Sequence, residues 1–303
     1  MNIYHSANEC PDILPANSIV NADCFDVFDK VADASIDMIL CDLPYGTTSC
    51  KWDTVLPFDK LWAQYKRVLK PLGVVVLTAS QPFTSVAVMS NLKWFKYDWT
   101  WDKVGAANFA NIKNRPLKTK EDILIFSPTA NFVFNPKRVM RTESSLKRDP
   151  IGKERREHKV SNPDKSVEYY AAGAIKPKNF HNYAPDGKKH PIDIIKFSRQ
   201  EKDCYNLKHP TKKPLGLFKY LIETYTNAGM RVLDNCAGSG TTGAACIELG
   251  REFILIEKES GYFNDTIIPR LTSYTGVELD PEYYTIAQTR LAHHNTKNNS
   301  KLF

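Results

Sequence analysis

The residues best suited to chemistry are Asp42-Leu43-Pro44-Tyr45, which follow the apolar run Ile36-Asp37-Met38-Ile39-Leu40-Cys41. The exocyclic amine of a nucleobase is a poor nucleophile, because its lone pair is delocalised into the ring. The Asp42 carboxylate and the Leu43 backbone carbonyl could accept its two N–H groups, draw the nitrogen towards sp³ and aim the lone pair at a methyl donor. Tyr45 could stack on a base swung out of its duplex, since a base edge inside the stack is out of reach. The plainer alternative makes Asp42 a cap, with Pro44 and Tyr45 as turn residues.

A second group lies late in the chain, at Asp234-Asn235-Cys236-Ala237-Gly238-Ser239-Gly240-Thr241-Thr242. Gly238 and Gly240 let backbone approach a ligand closely. Glu257 lies about 20 residues further on, where a carboxylate can take ribose hydroxyls. Strand, glycine turn, helix and acidic strand end together make a nucleoside-binding unit. A nicotinamide dinucleotide is a possible reading that the turn disfavours, because it is read as lacking the third glycine. The stretch around Glu257 is echoed 21 residues later around Glu278, with Tyr262 matched by Tyr283. The spacing from Asp234 favours Glu257, because the next strand of one β-α-β unit must follow closely. A third group, His209-Pro210-Thr211-Lys212-Lys213-Pro214, precedes a helix, and a helix start with lysine beside it attracts carboxylates.

These groups must be held by a framework. Ile36 to Cys41 reads as a buried parallel strand that Pro44 cannot continue, so a turn follows at the carboxyl edge of the sheet. Further strands are expected at Ser18–Asn21, Val74–Leu77, Lys96–Trp101, Asp122–Phe126, Arg231–Asp234 and Phe253–Ile256. Helices are expected over Phe25–Val31, Leu61–Leu69, Pro82–Leu92, Leu215–Asn227 and Ala244–Leu249. The alternation predicts an α/β fold with a doubly wound, mostly parallel sheet. Trp62, Trp94, Trp99 and Trp101 are read as core residues. The polar stretch Thr47 to Phe58 is expected to cover the bound base as a loop.

Composition bounds the answer. At 303 residues with 42% hydrophobic and 25% charged content, the chain suits one large soluble domain, or one with an insert. Its start lacks a signal-peptide pattern, and no apolar run suits a membrane span. Seven cysteines without a Cys-x-x-Cys pair disfavour zinc ribbons and disulfide frameworks, so no metal is expected and a reducing, cytoplasmic setting fits. From Asn135 to Lys213, 20 Lys and Arg face 10 Asp and Glu, so the rest of this +7 chain sums to −3. A regional basic excess suits contact with a polyanion, or else a solvated loop region.

Taken in order, these motifs resemble the β group, the circularly permuted arrangement, of amino-group DNA methyltransferases. Asp42-Leu43-Pro44-Tyr45 is similar to that family's Asp/Asn/Ser-Pro-Pro-Tyr/Phe motif, with Leu43 where proline is usual. The extension through Gly46-Thr47-Thr48 and Cys50-Lys51-Trp52-Asp53 resembles its phage and prophage branch. His209 to Pro214 resembles His-Pro-Thr-Gln-Lys-Pro, and the glycine turn resembles Asp-Pro-Phe-x-Gly-x-Gly-Thr, with Asn235-Cys236 in place of Pro-Phe. The resemblance implies a seven-stranded-type methyltransferase sheet, with a catalytic part at 1–127, a basic target-recognition insert at 128–206 and a cofactor-binding part at 207–303.

It further implies S-adenosylmethionine as cofactor. Asp23, Cys24, His209, Thr211, Lys213, Asp234, Cys236, Gly238, Gly240, Thr241, Thr242 and Glu257 would bind it, and Asp42, Leu43, Pro44 and Tyr45 would be catalytic. Asp23 is equally well read as a helix N-cap. The implied partner is double-stranded DNA, with a homodimer allowed, and the implied reaction is sequence-specific methylation of a flipped adenine at N6, as in restriction-modification. Cytosine-N4 methylation is the alternative; a catalytically inactive DNA-binding relic is the alternative of another class.

Overall fold

The computed structural model describes residues 1–50, 53–107, 112–114, 116–144, 188–199 and 212–275. The chain forms two compact units, one of Met1–Asn135 with Asp193–Phe303, the other of Pro136–Ile192. In the smaller unit β7 (Val139–Met140) pairs antiparallel with β8 (Lys188–Lys189).

The larger unit is built on one sheet. Its strands in chain order are β1 (Asn2–Tyr4), β2 (Ser18–Asn21), β3 (Ile36–Cys41), β4 (Leu69–Ala79), β5 (Phe95–Ala107), β6 (Lys118–Phe126), β9 (Ile194–Lys196), β10 (Arg231–Asp234) and β11 (Glu252–Glu257). They lie in the order β1-β2-β11-β10-β3-β4-β6-β5-β9. Only β6 runs against its neighbours, pairing antiparallel with both β4 and β5. This is the mostly parallel α/β sheet that the strand–helix alternation predicts, with β1 and β9 extending the seven-strand set at its two edges. β9 falls within the compositionally basic stretch, yet it pairs with β5, Trp101 opposite Ile195, and Ile195 is buried.

Successive strand residues face opposite sides of a sheet, so buried runs must divide between two cores. They do. Ile39, Cys41, Val75, Leu77, Leu124 and Phe126 pack with α1 (Cys24–Val27), α2 (Phe58–Val68) and α3 (Phe83–Ser90). Met38, Leu40, Val74, Val76, Ile123 and Ile125 pack with α4 (Leu215–Tyr225), α5 (Thr241–Leu249) and α6 (Ile268–Thr275). Trp62, Trp99 and Trp101 are core residues, while Trp94 is partly buried against the first cluster.

Because β2, β11, β10 and β3 are consecutive and parallel, their carboxyl ends open along one edge. Reading across that edge gives Asp23 beyond β2, Glu257 ending β11, Asp234 ending β10 and Asp42 just beyond β3. Residues far apart in sequence become neighbours through this topology alone.

Candidate active site

Asp42 leaves β3 with its carboxylate already engaged. Oδ1 accepts from the Tyr45 hydroxyl at 2.8 Å and from the Thr78 hydroxyl; Oδ2 accepts from Lys213 Nζ at 2.5 Å. Thr78 stands near the end of β4, the strand paired with β3, which is why it reaches Asp42. Burial and the nearby charges of Asp42 and Glu121 push the Tyr45 phenol well above its usual range, so it stays a neutral donor. Against the burial that opposes it, Asp42 and Glu121 raise Lys213, which stays an ammonium. The Tyr45 ring stacks on Phe83 with centroids 5.0 Å apart, and Lys213 Nζ lies 5.6 Å from its centroid. Leu43 buries its side chain in the first core cluster, so the residue standing in for proline is fixed by packing.

The segment after Tyr45 is tied down. The Asp53 carboxylate accepts the backbone N–H groups of Gly46, Thr47 and Thr48 at 2.8, 2.9 and 2.7 Å. Against desolvation, these bonds and one from the Thr48 side chain hold Asp53 below its usual range. Gly46 has φ +67°, a backbone conformation that favours glycine, and a Cβ there would press on Val55 Cγ2 at 2.9 Å. Lys51 and Trp52 lie outside the described residues.

At the neighbouring strand ends the acidic groups close a turn. Asp234 accepts from the Cys236 N–H at 3.1 Å and from the Thr242 hydroxyl, and burial pushes it up to about 7. Glu257 accepts from the Gly238 N–H at 2.7 Å and the Glu259 N–H at 2.8 Å, and burial raises it too. Gly238 and Gly240 have φ of +51° and +69°. Asn235, in place of proline, accepts the buried Tyr65 hydroxyl at 2.6 Å, an anchor from α2 that helps set the turn's shape. Thr241 and Thr242 open α5 and are buried. Gly243, omitted from the glycine pattern above, completes Gly-x-Gly-x-x-Gly. A Cβ there would meet Leu255 at 2.7 Å and Leu271 at 2.8 Å, so this glycine lets α5 lie close to β11 and α6.

Asp23 caps α1, accepting the Phe25 N–H at 3.0 Å, and also pairs with Lys258 Nζ at 3.0 Å. Cys24 is buried beside it, and burial pushes the Cys24 and Cys41 thiols well up, which leaves neither as a thiolate nucleophile. His209, Thr211 and Glu278 lie outside the described residues.

The Asp42 turn and the glycine turn therefore open at adjacent parallel strand ends. Lys213 joins them, with Nζ on Asp42 and its carbonyl 3.5 Å from the Thr241 hydroxyl. Expected with the cofactor residues, it stands between the two sets. Thr78, Phe83, Tyr65 and Glu121 are site residues that the motifs do not name, and Asp53 enters there only as the end of the motif extension. Thr78 carries a faint sequence signal, a hydroxyl near the end of the run Val74-Val75-Val76-Leu77.

A family model described as DNA methylase, for N6 and N4 methyltransferases, covers residues 36–268. Type II methyltransferase M1.MboII of Moraxella bovis is 28% identical over 271 residues, covering 83% of this chain and 95% of that protein. DNA adenine methyltransferase YhdJ of Escherichia coli K12 is 28% identical over 262 residues, covering 82% and 80%. Among solved structures, the M1.HpyAVI–SAM complex matches with TM-score 0.53 and 27% identity, covering 84% of this chain and 98% of that one. The cytosine-N4-specific PvuII DNA methyltransferase matches with TM-score 0.56 at 13% identity, a likeness of fold. With the match spanning both turns and the sheet between them, this chain belongs to the DNA methylase family of N6 and N4 methyltransferases.

Proposed function

We propose that this chain transfers a methyl group from S-adenosylmethionine to the N6 amine of adenine in double-stranded DNA at a specific short sequence. The observation that carries this reading is the placement of the Asp42 turn beside the glycine turn, bridged by Lys213. The donor set suits the cofactor. Glu257 would take ribose hydroxyls, Asp23 and Cys24 would flank the adenine ring, and Asp234, Cys236, Gly238 and Gly240 would line the turn around the amino-acid end. When bound, the cofactor supplies an electrophilic methyl on a sulfonium.

The chain's own residues do the rest. Asp42 and the Leu43 carbonyl accept the two N–H groups of the target amine and orient its lone pair. Pro44 fixes the turn that presents them. Tyr45 presents the aromatic surface against which a flipped base rests, backed by the buried Phe83 ring. His209 and Thr211 belong to the same cofactor set. The basic stretch from Asn135 to Lys213 supplies phosphate and base-edge contacts.

An aspartate at the first motif position, together with a relative named as a DNA adenine methyltransferase, favours adenine over cytosine. The order of motifs supports the circularly permuted arrangement, because the nucleoside-binding unit β10-α5-β11 comes late yet lies beside β3. Residues 46–53 support a phage-like branch. No helix among the described residues is long and apolar enough to cross a membrane, which suits a cytoplasmic enzyme acting on the nucleoid.

Tritium transfer from labelled cofactor to mixed genomic DNA, followed by digestion to nucleosides, tests the reading. Label in N6-methyl-2′-deoxyadenosine is expected. Label in N4-methylcytosine alone overturns the adenine assignment, and no label despite cofactor binding favours an inactive relic.

A further inference from the structure

The Asp42 carboxylate ends a row of alternating charges. Lys213 Nζ lies 2.5 Å from Asp42 Oδ2 and 3.8 Å from Glu121 Oε2, and Lys103 Nζ lies 3.0 Å from Glu121 Oε1. Lys103 is 3% exposed, and the Lys213 and Glu121 side chains are 10% and 16% exposed. Within this row one atom is out of balance. Glu121 Oε2 is buried and accepts no hydrogen bond among the described residues, while Oε1 holds Lys103. A buried carboxylate oxygen left without a donor is costly, so its retention beside a lysine calls for a cause.

The amine chemistry supplies one. A carboxylate offers about four acceptor sites. Tyr45 and Thr78 occupy Oδ1 of Asp42, and Lys213 occupies Oδ2. The one acceptor site left lies on Oδ2 beside the Lys213 ammonium, so a target amine must donate there in competition with a full positive charge. An ammonium displaced from Oδ2 is buried and can only move to another acceptor. Glu121 Oε2 is that acceptor, and a displacement of about 1 Å brings Lys213 within hydrogen-bond distance of it.

We propose that Glu121 is a positioning residue that receives the Lys213 ammonium when the target amine takes its place on Asp42. The exchange keeps Asp42 occupied and oriented in the absence of substrate. On substrate entry it takes the ammonium's hydrogen bond off Asp42 Oδ2 and frees that oxygen to accept from the amine. Lys103 holds the other oxygen of Glu121, so Oε2 stays aimed at Lys213. This inference rests on Asp42 being the acceptor of the target amine.

The test uses Glu121→Met, which fills the volume without an acceptor, and Glu121→Gln, which keeps an acceptor oxygen. Single-turnover methylation is measured on a duplex carrying the target sequence mapped in an expressing, methylation-deficient host. S-adenosylmethionine affinity is measured on the same preparations. Glu121→Met is expected to slow transfer about tenfold or more with cofactor affinity unchanged, and Glu121→Gln to recover most of the rate. Adding Lys213→Met to Glu121→Met is expected to speed transfer, because the stranded ammonium is gone.

A wild-type rate in Glu121→Met, or a double variant slower than Glu121→Met, overturns the proposal. A crystal structure of the wild-type protein with S-adenosylhomocysteine and the duplex decides independently of how the variants fold. Lys213 Nζ is expected at about 3 Å from Glu121 Oε2; Lys213 still on Asp42 beside a bound target base contradicts the exchange. Asp42→Ala separates the two levels: if it still methylates, the reading of Asp42 itself fails. If it is dead while Glu121→Met is unaffected, only the exchange fails.

Discussion

Acidic groups at the same sheet edge are held in opposite ways. Glu257 is gripped by the backbone N–H groups of Gly238 and Glu259, and Asp234 by the Cys236 N–H and a hydroxyl eight residues on. Asp42 is held by three side chains, from Tyr45, Thr78 and Lys213. A backbone donor is fixed with its turn and leaves only if the turn refolds. A side-chain donor can turn away by torsion alone. The glycine turn is thus a rigid mould, whereas the Asp42 carboxylate can change partners, as a group that must admit a substrate amine requires. Asp53 belongs with the first kind, since three consecutive backbone N–H groups fix it.

The largest loss of stability is expected at the glycine turn. Gly243→Val places atoms where even a Cβ lies 2.7 Å from Leu255 and 2.8 Å from Leu271, both fully buried. Overpacking outweighs the gain in helix propensity, and stability should fall by about 3 kcal/mol in a denaturant titration. Asp53→Ala frees the segment after Tyr45. The expected result is an increase of about tenfold in KM for DNA with unchanged cofactor affinity. Equal weakening of both would place Asp53 in the cofactor mould instead.

Smaller effects sharpen the contrast. Tyr65→Phe removes the buried bond to Asn235, and should cost about 1 kcal/mol and weaken cofactor binding a few-fold while sparing transfer from bound cofactor. The folded-state pKa of Asp234, about 7, lies above its unfolded value of 3.8. Its contribution to stability is thus complete below the unfolded value and is lost as pH rises through about 7. Between pH 6 and 8 this amounts to about 1 kcal/mol. Asp234→Asn should flatten that part of a stability–pH profile.

What the sequence made legible follows the same division. Asp42, Asp234, Gly238 and Glu257 stand at strand ends marked by apolar runs and turn residues, signals confined to a few neighbouring positions. Thr78, Tyr65 and Lys213 meet their partners across 36, 170 and 171 residues, and no local pattern specifies such pairs. β1 has three residues, too few to show alternation, and β9 was hidden by the basic composition around it. The reversed direction of β6 comes from its hairpin-like pairing with β5, which the apolar run Ile123 to Phe126 does not encode. Gly243 was visible in the sequence, but its role depends on two leucines from other elements.

The division of labour between the two kinds of carboxylate is tested most directly by Asp42→Ala, with S-adenosylmethionine binding by calorimetry and methyl transfer to DNA measured on one preparation. Cofactor affinity should stay within about threefold of wild type while transfer falls by about a thousandfold or more. Near-wild-type methylation, or loss of cofactor binding together with activity, would contradict the account.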